Sequence, residues 1–169
     1  MLVVATSLLF GASWGNPLGV AVLVVGSVLA IVQTNVKRML AYSSIAHVGF
    51  ILVGVEAMSR QSATNISLRG YAASLFYLLA YAVMVLGSFG VVAVVGRKGD
   101  ADHSLEAYRG LSRARPLLAF TFTVLLLAQA GVPLTSGFIA KFDVILAAVD
   151  AKSYVIAVIA MLSAVIAAF

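Results

Sequence analysis

The apolar stretch from Leu117 to Val149 carries one lysine, Lys141, shortly after the helix-breaking run Gly131-Val132-Pro133. At 1.5 Å per residue an unbroken helix of that extent would measure ~50 Å, far beyond the ~30 Å hydrocarbon core of a bilayer. The stretch therefore reads as two half-helices joined near 131–133, with Gly131 and Pro133 interrupting the helix. Non-helical backbone at membrane depth is tolerated only where protein or water surrounds it, and discontinuous helices of this kind sit at ion sites. A cation placed there is expensive, and chains that carry one use it to move charge.

The rest of the chain agrees with a membrane setting. It is 63% hydrophobic and 10% charged, with a mean hydropathy of +1.11. Apolar segments recur at about 1–10, 18–36, 38–57, 71–95, 117–149 and 154–169, so the expected fold class is all-α, a polytopic transmembrane helix bundle with one discontinuous helix. Polar stretches from Glu56 to Gly70 and from Gly96 to Pro116 separate them. The segment 1–10 is short of the ~20 residues a crossing needs, and 154–169 ends inside an apolar run; the sequence reads as a single membrane domain cut from something longer.

Zero cysteines exclude disulfides, thiolate chemistry and cysteine-ligated metals or clusters. There is no phosphate-binding glycine loop, carboxylate–histidine metal spacing, hydrolytic triad or basic tract of nucleic-acid type. The residues thus point to no bound cofactor, no metal and no nucleic acid. The net charge of +5 is better read through loop topology. Alternating loops put Lys37, Arg38, Arg97, Lys98, Arg109, Arg113 and Arg115 on one face and Arg60, Arg69 and Lys152 on the other. The first face is expected to be cytoplasmic.

Lys141 lies eight residues from both Pro133 and Val149, ~12 Å along a helix from each, too far for its stem to snorkel easily. In a low-dielectric site the neutral amine competes with the ammonium, so a nearby charge that comes and goes would load and unload it. The plainer reading is a buried lysine neutralised by a fixed partner. His47 is the second candidate. Ser43 and Ser44, four and three residues before it, can share its helix face, and imidazole exchanges protons near neutral pH. The plainer reading there is a packed histidine satisfied by a serine hydroxyl or a carbonyl.

Asp143 stands ~200° around the helix from Lys141, so direct pairing is not expected; it finds another partner, stays protonated, or reaches the headgroup zone. Gln129, Thr121 and Thr123 are expected to hydrogen-bond between helices or hold water. Gly87 and Gly90 are expected to permit close packing, and Tyr71, Tyr77 and Tyr81 to act as interface anchors or core. Lys37 and Arg38 read as topogenic charges. Asp100, Asp102, Glu106 and Arg109 read as a solvated loop face that touches a neighbouring subunit.

Two long motifs carry a resemblance. Gln33-Thr-Asn-Val-Lys-Arg-Met-Leu-Ala-Tyr-Ser-Ser-Ile-Ala-His-Val-Gly-Phe50 and Ala130-Gly-Val-Pro-Leu-Thr-Ser-Gly-Phe-Ile-Ala-Lys-Phe142 resemble the antiporter-like membrane subunits of bacterial respiratory complex I, NADH–quinone oxidoreductase. With Tyr108-Arg109-Gly110-Leu111 they are most similar to its subunit N branch. The resemblance implies an inverted-repeat fold of which this chain covers the back part of the second repeat. It implies that Lys141 and His47 belong to a mid-membrane polar axis, and that proton transport is coupled to quinone reduction elsewhere in the complex. NADH, FMN, iron–sulfur clusters and quinone are then held by other subunits, and the partners are other complex I membrane subunits, the lipid bilayer and protons. The implied location is the bacterial inner membrane, multi-pass. Two alternatives stay open: a subunit of a multisubunit sodium/proton antiporter, and a non-conducting assembly or scaffold protein.

Overall fold

The computed structural model describes residues 17–59, 69–96 and 103–168, and the regular structure among them is helical apart from one isolated bridge, Asn35 to Ser104. The elements are α1 (Pro17–Ile31), α2 (Val36–Ser59), α3 (Arg69–Val95), a 3-10 turn (Leu105–Tyr108), α4 (Leu111–Ala114), α5 (Pro116–Ala130), α6 (Ser136–Asp150) and α7 (Tyr154–Ala168). The apolar segment 1–10 and the charged residues Arg60, Arg97, Lys98, Asp100 and Asp102 lie outside the described residues.

Val36–Met58 and Arg69–Val95 are long and apolar enough to cross a membrane. The half-helices α5 and α6 have 15 residues each, ~22 Å apiece, and only together do they cover a bilayer. The segment expected over 18–36 is helical only to Ile31, because Asn35 starts the next helix: its Oδ1 accepts from the backbone N–H of Lys37 at 3.0 Å and of Arg38 at 3.3 Å. Those two cations follow a capped helix start. α2 also runs two residues past 57, which puts Glu56 inside a helix and not in a loop. Glu56 is buried and accepts from the Ser153 hydroxyl at 3.3 Å, beside the first turn of α7, where a carboxylate suits the helix dipole.

Small residues set the helix separations. A Cβ at Gly26 would come within 2.5 Å of the Ala46 nitrogen, and one at Gly49 within 2.7 Å of the Leu23 Cα, so α1 and α2 touch backbone to backbone. Gly49→Leu is therefore expected to force α1 off α2, at a cost of about 1–3 kcal/mol for overpacking. A drop in the thermal midpoint of the membrane-extracted protein checks this; an unchanged midpoint refutes the packing. Gly87 is similarly close to Leu125 of α5, at 2.8 Å. Gly90, three residues on from Gly87, meets nothing within 4 Å among the described residues, so the close packing expected of it is not found there. The core threads α2, α3, α6 and α7 through Phe50, Tyr77, Ala140, Val144 and Ala160. Large apolar side chains on the opposite faces, such as Leu79, Leu86 and Val155, are exposed, as a lipid-facing bundle requires.

The break between the half-helices and its lysine

The last four carbonyls of a helix have no partner within it. In α5 these belong to Leu127, Ala128, Gln129 and Ala130. Gly131, in the left-handed region with φ 86°, closes a Schellman turn: its N–H donates to the Ala128 carbonyl at 3.1 Å, while Val132 N–H donates to Leu127 at 3.1 Å. That leaves Gln129 and Ala130. The Lys141 amine reaches back across the break and donates to both, at 2.9 and 2.8 Å. A cation at a helix C-terminus is favoured by the dipole as well as by these bonds.

The far side of the break is built as tightly. Pro133 cannot donate, Leu134 adopts φ 75°, and Thr135 caps α6 by accepting from Phe138 N–H at 3.3 Å while its hydroxyl donates to Val132 at 2.7 Å. Gly137 packs so closely on the Ala128 carbonyl that no Cβ fits. Lys141 is thus 5% exposed, held against Gly131 and lying 5.4 Å over the Phe50 ring. Its two bonded partners are neutral. Because a neutral amine still has two N–H donors and an ammonium three, both carbonyls stay satisfied in either protonation state.

His47, 3% exposed, faces Lys141 across a cavity of about 340 Å³. The cavity is lined also by Ser43, Gln129, Ser27 and Gln33, and by apolar residues including Phe50 and Leu105; it has room for several waters. It runs from the break toward the junction of α1 and α2, on the face that carries Lys37 and Arg38. Of the sequence-derived candidates, Lys141, His47, Ser43 and Gln129 are brought together, with Gly131 and Pro133 forming the bend behind the amine. Ser44 does not line the cavity; it donates to the Leu40 carbonyl at 2.8 Å and is hydrogen-bonded to the Tyr81 hydroxyl.

Several partners were not foreseen. His47 Nδ1 lies 2.8 Å from the Tyr77 hydroxyl, and its ring stacks on Tyr81 at 4.5 Å. Both tyrosines were expected to be anchors or core; their i, i+4 spacing on one face of α3, opposite a polar face of α2, is the signal that could have placed them here. Gln129 does bond between helices, donating to Ser88 at 2.6 Å and to the Met84 carbonyl at 3.3 Å. Thr121 and Thr123 do not. Each hydroxyl donates to a carbonyl of its own helix, Leu117 and Ala119, both at 2.9 Å. Asp143 points away from Lys141 to Arg69, 3.7 Å away, and Arg69 also bonds Asp150 at 3.0 Å, tying α3 to α6. Glu106 and Arg109 pair at 2.9 Å on an exposed turn.

Two half-helices meeting at a break, packed against long apolar helices, define a membrane bundle of the antiporter-like kind. Comparison with known proteins agrees. The chain belongs to the family described as NADH:quinone oxidoreductase/Mrp antiporter, transmembrane, which it matches over residues 2–167. It is 43% identical over 152 residues to NADH-quinone oxidoreductase subunit N of Thioalkalivibrio sulfidiphilus, a match covering 90% of this chain and 30% of that protein. Among solved structures it resembles a chain of respiratory complex I from Thermus thermophilus with bound aureothin, at 32% identity and TM-score 0.75, over 90% of this chain and 32% of that one. It also resembles a chain of the Mrp complex from Dietzia sp. DQ12-45-1b, at 26% identity and TM-score 0.77, over 89% of this chain and 26% of that one. The chain thus spans under a third of the length of these relatives. Family and relatives place it in the bacterial cell membrane, as a multi-pass protein.

Proposed function

We propose that this chain is part of a proton-translocating membrane subunit of NADH–quinone oxidoreductase, in which Lys141 gains and loses a proton as quinone reduction proceeds in other subunits. NADH, FMN, iron–sulfur clusters and quinone are bound by those subunits. One observation carries the reading: the buried Lys141 amine is held by two carbonyls rather than by a fixed carboxylate, and it lines a cavity with His47 and Ser43. Among the described residues its hydrogen-bond partners are neutral, so the amine is free to change charge without stranding them. His47 passes the proton between cavity water and Lys141, and Gln129, anchored on Ser88, keeps the carbonyl side of the site rigid.

The test uses the full-length subunit in its complex, in inverted membrane vesicles. His47→Gln is expected to lower NADH-driven proton uptake by at least about tenfold, the low end for loss of a proton-transfer group. Unchanged uptake removes His47 from the relay. The likeness to the Dietzia Mrp chain supports one other reading, sodium/proton exchange at the same lysine. Proton movement driven by a sodium gradient without any electron donor selects that reading.

A further inference from the structure

We infer that Tyr77 is a positioning residue for the relay: its hydroxyl holds the His47 ring at Nδ1 in both protonation states, leaving Nε2 to exchange the proton. The inference rests on the relay reading of His47 and adds to it a residue and a role that the cavity alone does not reveal.

Tyr77 is 1% exposed, and His47 Nδ1 lies 2.8 Å from its hydroxyl. Its ring is fixed by stacking on Phe50, centroid to centroid 5.8 Å, and the imidazole also stacks on Tyr81. The imidazole therefore has little freedom to turn, and one nitrogen is committed to Tyr77. Tyr77 does not line the cavity, whereas His47 does, so the committed nitrogen faces a dry wall. Nε2 is left as the nitrogen available to the cavity.

The chemistry of the pair makes a phenol well suited to that wall. A neutral imidazole with its proton on Nδ1 donates to the Tyr77 oxygen and presents a bare Nε2 to the cavity. The imidazolium formed when Nε2 takes up a proton keeps the same Nδ1–H, so the same oxygen, with its hydroxyl hydrogen rotated away, is the acceptor in both states. A donor-only partner, such as a backbone N–H, would instead hold Nδ1 bare and put the neutral proton on Nε2. That would close Nε2 to proton uptake and set two donors against each other in the imidazolium. With the hydroxyl, the proton taken up at Nε2 is returned from Nε2, and nothing passes through Tyr77. Among the described residues, the titratable side chains facing the imidazole are Tyr77 and Tyr81 from α3 and Lys141 from α6.

Tyr77→Phe keeps the ring, and with it the stack on Phe50, while deleting the oxygen. In the assembled complex, proton uptake is expected to fall about tenfold, the loss for a buried polar group deprived of its partner, and the pH at half-maximal uptake is expected to move. In a His47→Gln background the same change should produce no further loss. Full uptake with an unshifted pH profile in Tyr77→Phe overturns the inference while leaving His47 in the relay. Equal fractional losses in both backgrounds overturn it too, because they mark a packing role. If His47→Gln alone is without effect, the relay reading and this inference fall together. Should Tyr77→Phe lower the amount of assembled complex, Tyr77→Trp, which restores ring bulk with a donor-only nitrogen, separates the cases. A pH profile that moves in Trp and Phe alike supports the two-state partner, and one that stays fixed in both refutes it.

Discussion

Lys141→Ala in the full complex is expected to reduce coupled proton uptake to background, a loss of about two orders of magnitude or more if the amine is the group that carries the charge. The substitution also has a structural cost. Gln129 and Ala130 lose the donor that serves their carbonyls, and a buried unsatisfied acceptor costs about 1–3 kcal/mol. A dead alanine variant therefore cannot tell a proton carrier from a helix cap. Lys141→Arg can. A guanidinium offers N–H donors to the same carbonyls and remains a cation at the C-terminal end of α5, so the cap is kept, yet it does not release its proton. The expected pattern is a near-normal level of assembled complex with proton uptake still reduced at least about tenfold. Uptake that recovers with arginine makes Lys141 a structural cap and ends the proton-carrier reading.

The helix break was legible before any coordinates because it rests on local rules: length against bilayer thickness, glycine and proline in sequence, and the scarcity of charge in apolar runs. Gly131 and Pro133 obey them without help from the rest of the fold. Which atoms Lys141 touches was not legible, since they lie on the preceding half-helix and become neighbours only because the chain folds back across Val132–Thr135. The expected distance of eight residues to Pro133 suggested isolation; the side chain in fact leans toward its own N-terminus, as helical side chains do, and finds the carbonyls there. His47 was singled out by residue type, but its partner came from α3, thirty residues on. Ser43 and Ser44 were the local guesses; Ser43 lines the cavity, while the helix backbone captures the Ser44 hydroxyl beside Tyr81. Thr121 and Thr123 failed for the same reason. The identity of the family was readable from two motifs because those motifs are the break and the His47 helix themselves.

Gly131→Ala is expected to lower both the stability of the complex and its proton uptake, for two separable reasons. The first is conformational: φ 86° is left-handed, and a Cβ there costs about 1–2 kcal/mol. The second is spatial, because that Cβ would lie 3.0 Å from the Lys141 Cδ and 3.2 Å from its Nζ, so the side chain must give by a few tenths of an ångström from its place against the carbonyls. Asparagine divides the two effects. It tolerates the left-handed region far better than alanine but brings a Cβ to the same point. Gly131→Asn should thus recover most of the thermal stability lost in Gly131→Ala, read as the temperature of half-inactivation of the membrane-bound complex. Its proton uptake should nevertheless stay several-fold low, because the amine is still displaced by a few tenths of an ångström from a site where alignment sets proton transfer. If uptake returns together with stability, the glycine serves the bend alone, and the position of the amine relative to Gln129 and Ala130 does not govern transport.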